Sequence, residues 1–171
     1  MKSKYKTKKT SSIFTVVILI IIAVGLLGFG NLFSSGGNST RSTRDIALSC
    51  TLDMYTKFHI HPHLEIIANG VKQTIPPNIG VTLACMHPLH THDNIGTIHV
   101  ESPEKRDFTL GDFFAVWGQS FSKDQVLDYK RDASHEIAMT VGGALSQDFE
   151  NLILEDSQHI IIEYKPVENS E

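Results

Sequence analysis

Between Lys9 and Arg41 the chain carries no charged residue, and residues 13–33 form an almost unbroken apolar run. That length matches the ~20 residues a helix needs to cross a bilayer, so a water-soluble fold has to be built from the residues beyond it. Five lysines precede the run (Lys2, Lys4, Lys6, Lys8 and Lys9), and few positive residues stand just after it. Positive charge stays on the cytoplasmic side of a span. The N-terminus is therefore expected in the cytoplasm and the rest of the chain outside it, with the membrane as partner of the N-terminal helix. The competing reading is a cleaved signal peptide, for which Gly28, Gly30, Ser34 and Ser35 offer cleavage points. The run is longer than a usual signal core, which favours a retained single-pass anchor.

The expected organisation is a basic cytoplasmic tail at 1–10, a transmembrane anchor at 11–33, a flexible linker at 34–47 and an extracytoplasmic domain at 48–168. The linker is small and polar. Its Asn38-Ser39-Thr40 fits the N-glycosylation pattern and makes Asn38 a candidate acceptor, although a Ser/Thr-rich stretch yields the same triplet by chance. From Asp45 onward, 8 Lys and Arg face 19 Asp and Glu, a formal −11 with histidine neutral. So acidic a domain repels phosphate backbones, which argues against a nucleic-acid partner, and it attracts cations.

Within the domain, Phe58, Ile60, Leu64 and Ile66 alternate with His59, His61, His63 and Glu65, the period of a half-buried strand. Asn69-Gly70 predicts a tight turn, with residues 71–75 returning as the second arm. Pro76-Pro77 ends that arm, and residues 81–84 begin another strand. Residues 89–92 and 97–101 flank Asp93-Asn94-Ile95-Gly96, read as a four-residue hairpin loop. Its register would set His90 opposite His99 and His92 opposite Thr97, with Glu101 on the histidine face. Thr109 is a helix cap with Asp112 in the first turn, Leu110, Phe113, Phe114 and Trp117 recur at helical spacing, and Gly118 stops the helix. Ser122-Lys123-Asp124-Gln125 predicts a second, shorter helix. Residues 137–141, Gly142-Gly143 and residues 159–164 return to strand character. The fold class is α+β, a small mixed or antiparallel sheet of hairpins with one or two short helices.

Seven of the nine histidines fall between His59 and His99. Alternate histidines on a strand point to one face about 7 Å apart, so two can reach an ion between them. Imidazole with carboxylate suits Zn, Cu, Fe or Ni, whereas Ca and Mg want oxygen ligands. The leading ligands are His61, His63, His90 and His99, followed by His92, His59 and Glu101. Glu101 and His92 are also the candidate catalytic acid and base. The plain reading, an exposed or hydrogen-bonded imidazole, is preferred for His87, His135 and His159, which sit in no repeated spacing. Glu65 is expected to be exposed at its strand end, and Asp93 equally fits an ordinary turn residue. The pattern contains no H-E-x-x-H helix, G-x-S-x-G elbow or phosphate-cradling glycine loop.

Cys50 and Cys85 are the only cysteines. Outside the cytoplasm they most simply form a disulfide; the rival is a metal-binding or redox thiol.

The segments FHIHPHLEI (residues 58–66), LHTHDNIGTIHVESP (89–103) and FTLGDFFAVWGQSFS (108–122) resemble an uncharacterised family of small, often membrane-anchored archaeal and bacterial proteins. Its members share H-x-H-x-H-L, L-H-T-H-D-x-x-G-x-I-H-x-E and F-T-L-G-x-F-F-x-x-W-G-Q motifs. The resemblance implies a common extracytoplasmic module and carries no established activity. This chain departs from it at Gly142-Gly143, where typical members have Asn-Gly. The residues support three functional readings: a membrane-tethered protein binding Cu or Zn, a metal-dependent enzyme of hydrolase or lyase type using the same cluster, or a metal-free module that responds to pH.

Overall fold

In a computed structural model of the chain, residues 41–52 and 56–167 are described. The expected basic tail, the expected transmembrane anchor, the first half of the expected linker and Asn38 lie outside them. Among the described residues no helix is long and apolar enough to cross a membrane.

The alternation expected over residues 58–67 holds in burial, but not as one strand. Pro62 has no N–H to give to a ladder, and the chain divides there into β1 (Phe58–Ile60) and β2 (His63–Ala68). β1 joins β4 (Leu89–His90) and β5 (His99–Ser102) in an antiparallel sheet of order β1-β5-β4. β2 instead enters a five-stranded sheet with β3 (Val71–Lys72), β9 (His135–Val141), β10 (Ala144–Leu145) and β11 (His159–Pro166), of order β10-β9-β11-β2-β3. A small meander of β6 (Phe121–Ser122), β7 (Gln125–Val126) and β8 (Tyr129–Lys130) completes the set.

The larger sheet is mixed, because β11 runs parallel to β2 and antiparallel to β9. The core sets its register: Leu64, Ile66 and Ala68 lie beside Ile160, Ile162 and Tyr164, all buried. A slip of one residue would turn each of these to the solvent face, so His63 is necessarily carried beside His159. Asn69 and Gly70 (φ 51° and 77°) close the predicted two-residue turn, and Gly142 and Gly143 (58° and 85°) close the matching one between β9 and β10.

Three expectations are overturned, two of them by local side-chain bonds. The second arm after Asn69-Gly70 stops at Lys72. Residues 81–84 form a turn rather than a strand: the Thr82 hydroxyl accepts the Cys85 N–H at 3.0 Å, and Val81 makes only an isolated bridge to Met86. Ser122 starts no helix, since its hydroxyl accepts the Asp124 N–H at 3.2 Å and turns the chain from β6 into β7.

Helix α1 (Thr43–Ala47) was unforeseen, occupying the end of the stretch read as linker. Ser42 and Asp45 form its capping box, and Ala47 is fully buried. Helix α2 (Leu110–Trp117) is the predicted one: Thr109 and Asp112 cap each other, Gly118 ends it in the left-handed conformation (φ 73°), and Leu110, Phe113 and Phe114 face the core. Asp112 also holds α1, its Oδ1 lying 3.1 Å from Arg44 Nε, while Arg44 Nη1 donates to the Gly111 carbonyl at 2.7 Å. α2 packs against α1, β4, β6 and a 3-10 turn (Phe149–Asn151). The domain is α+β, as expected.

Cys50 and Cys85 form a disulfide, with Cα atoms 5.4 Å apart and 35 residues apart in sequence. Closing a loop of that size is worth about 3–4 kcal/mol. Urea unfolding with and without reductant should differ by that amount; a difference below about 1 kcal/mol would show that the unfolded loop is not the controlling state.

Candidate metal centre

The small sheet has one dry face and one imidazole face. Ile60, Leu89 and Val100 point inward and are buried. On the other face the ladder pairs His59 with Glu101 and His90 with His99, the latter as expected. His61, one step past the end of β1, comes level with His99. The result is a row of three imidazoles across three strands, with ring centroids 4.8 Å apart for His61–His99 and 5.4 Å for His99–His90. His92, on the loop after β4, sits edge-on to both His90 (4.8 Å) and His99 (4.6 Å), and His59 lies 4.4 Å from His61.

The β4–β5 loop is wider than the predicted four residues, because both its arms are drawn off. Thr91 bonds to residues 76–79, its hydroxyl donating to the Pro76 carbonyl at 2.9 Å. On the other arm, the Gly96 carbonyl accepts the Leu64 N–H and the Ile98 N–H reaches the Pro62 carbonyl, each at 2.9 Å. Thr97 consequently bridges to His63 instead of meeting His92.

His99 is the hub. Ligand atoms of His59, His61 and His99 lie within 4.8 Å of one another, and so do those of His90, His92 and His99. Nitrogens around a tetrahedral ion at ~2.05 Å stand about 3.3 Å apart, against separations of up to 4.8 Å in either trio, so an ion would have to draw the rings inward. The exposed His59, His61 and His92 form a rim over the fully buried His90 and half-buried His99.

His90 is the most constrained of the five. Its Nδ1 lies 3.0 Å from the His87 carbonyl. That oxygen can only accept, so Nδ1 carries the proton and Nε2 the lone pair. His90 Nε2 is buried without a hydrogen-bond partner among the described residues, and so is His99 Nδ1. Burial pushes His90 down to about 4. His99 is lowered by burial and then by the neighbouring His92 and His61. Both are therefore neutral at pH 7, the form that ligates. Glu101 Oε1 lies 3.0 Å from His59 Nε2, the position of a carboxylate that orients a ligating ring rather than binds the ion itself. The Asp156 carboxylate accepts the His61 backbone N–H at 2.9 Å.

The expected quartet is not one site. His61, His90 and His99 gather with His92 and His59, whereas His63 departs with β2 to the other sheet. There it meets Glu65 and His159. Glu65 was expected to be solvent-exposed and His159 to have no part in a cluster; the parallel pairing that joins them leaves no local mark on the sequence. His87 and His135 are satisfied elsewhere, His87 Nδ1 at 3.1 Å from the Ala47 carbonyl and His135 beside Asp132 and stacked on Tyr164. Asp93 is a turn residue accepting the Ile95 N–H at 3.1 Å.

Comparison with protein-family models, with curated proteins and with solved structures finds no match.

His90 also links stability to pH. Unfolded, its imidazole takes a proton near pH 6.5; folded, it does so only near 4. Protons therefore favour the unfolded chain as pH falls between these values, and the stabilisation present above pH 6.5 is lost. The metal-free protein should lose about 2–4 kcal/mol across this window, measured by urea unfolding in chelator at pH 7, 5 and 4. His90→Gln should show a smaller loss; an equal loss in that variant would remove His90 as the cause.

Proposed function

We propose that this chain is a membrane-tethered, extracytoplasmic protein that binds Cu or Zn through His90, His99 and their neighbours His59, His61 and His92. The observation that carries this reading is the His90 ring: fully buried, its proton directed at the His87 carbonyl, its Nε2 lone pair left unpartnered inside an imidazole cluster. One ion takes three or four of the five rings, and Glu101 orients His59. The Cys50–Cys85 disulfide supports a place outside the cytoplasm, where such bonds persist. The apolar run with lysines before it supports the tether.

A cavity of about 290 Å³ is lined by residues including Phe58, Ile60, Arg106, Ile153 and Asp156, and Asp156 also accepts the His61 N–H. Elemental analysis of the protein, purified without a histidine tag, should find at least one equivalent of Cu or Zn per chain. His90→Ala and His99→Ala should each remove about one equivalent, and unchanged stoichiometry in both would refute the ligand assignment.

A further inference from the structure

The larger sheet carries a second constellation on its outward face, at the start of the parallel β2–β11 pair. His63 and His159 are direct ladder partners, and their rings stack with centroids 5.3 Å apart and planes 16° apart. Glu65 comes two residues after His63 on the same face. One of its oxygens, Oε1, lies 3.6 Å from His63 Nε2 and 3.3 Å from His159 Nε2. The other, Oε2, is held by Lys72 Nζ at 3.1 Å. The carboxylate is thus divided: Lys72 fixes one oxygen, and the second stands between two imidazole nitrogens.

We propose that His63, Glu65 and His159 form a second site for a divalent transition-metal ion, separate from the five-histidine group. Donors around an ion at 2.0–2.1 Å stand about 2.9 Å apart in octahedral and 3.4 Å in tetrahedral geometry. The observed 3.3 and 3.6 Å from Glu65 to the two rings are close to those values, and all three donors lie within 4.8 Å of one another. The backbone positions are fixed in advance, because the pairing of Leu64 with Ile160 and of Ile66 with Ile162 in the core leaves His63 and His159 no other register. Two imidazoles and one carboxylate select Zn, Cu(II), Ni or Fe(II) over Ca or Mg. All three side chains are partly exposed. The site therefore presents three protein ligands on one side and open positions toward solvent, the arrangement of an ion that exchanges or meets a further ligand rather than one sealed for structure. The proposal stands whether or not the five-histidine group binds metal.

The test uses the full chain in detergent, with Zn2+ binding followed by equilibrium dialysis and Co2+ binding by visible absorption. His159→Ala and Glu65→Gln, both partly exposed positions, should each lose one equivalent or weaken it at least tenfold, with unchanged circular dichroism. His90→Ala should keep that equivalent. Binding equal to wild type in His159→Ala and Glu65→Gln overturns the second site, even while loss in His90→Ala upholds the first. Loss in only one of the two variants overturns the three-ligand assignment.

Discussion

The distribution of histidines over this domain stems from a missing hydrogen-bond donor. Pro62 cannot give an N–H to a neighbouring strand, so the alternating stretch that contains it leaves one sheet and enters another within two residues. Its carbonyl remains in use, accepting the Ile98 N–H at 2.9 Å, and anchors the crossing point against the segment that leads into β5. Everything before the proline stays with β4 and β5; everything after it belongs with β11. Two imidazole groups arise from what reads as one.

The groups differ in the kind of environment each offers an ion. In the first, His90 is withdrawn from water and keeps one hydrogen bond. A buried acceptor without a partner costs about 1–3 kcal/mol, a strain on the folded chain that an ion would relieve by taking the lone pair. Around it the candidate donors are all nitrogen, with Glu101 one step removed. In the second, the carboxylate is among the donors, and a lysine balances its charge. A domain with a formal −11 from residue 45 onward raises the local concentration of cations over both faces.

Local chemistry was legible in the sequence, and non-local pairing was not. The Asn69-Gly70 turn, the Thr109–Asp112 capping box, the Gly118 stop and the His90–His99 pairing all depend on residues close together in the chain, and each is where the pattern places it. The disulfide came from counting two cysteines. By contrast, His63 meets a histidine 96 residues later through a parallel pairing whose register is set by buried aliphatic side chains. Ser122 misled because the hydroxyls that cap helices also close turns, and residues 81–84, read as a strand, turn on the Thr82 hydroxyl. Helix α1 was hidden because Ser42 and Asp45 lie in a small, polar stretch, and what makes it ordered is distant: the salt link from Arg44 to the capping aspartate of α2.

Gly96 ties the two histidine groups together mechanically. With φ at +100°, it lies so close to β2 that a Cβ there would stand 2.2 Å from the Leu64 carbonyl oxygen and 3.4 Å from His63 Cε1. The loop running from His92 to His99 is therefore pressed backbone to backbone on the strand that carries His63, with no compliant side chain between them. It is a strut without slack: main chain of the segment leading to His99 rests directly on main chain of the strand that carries His63.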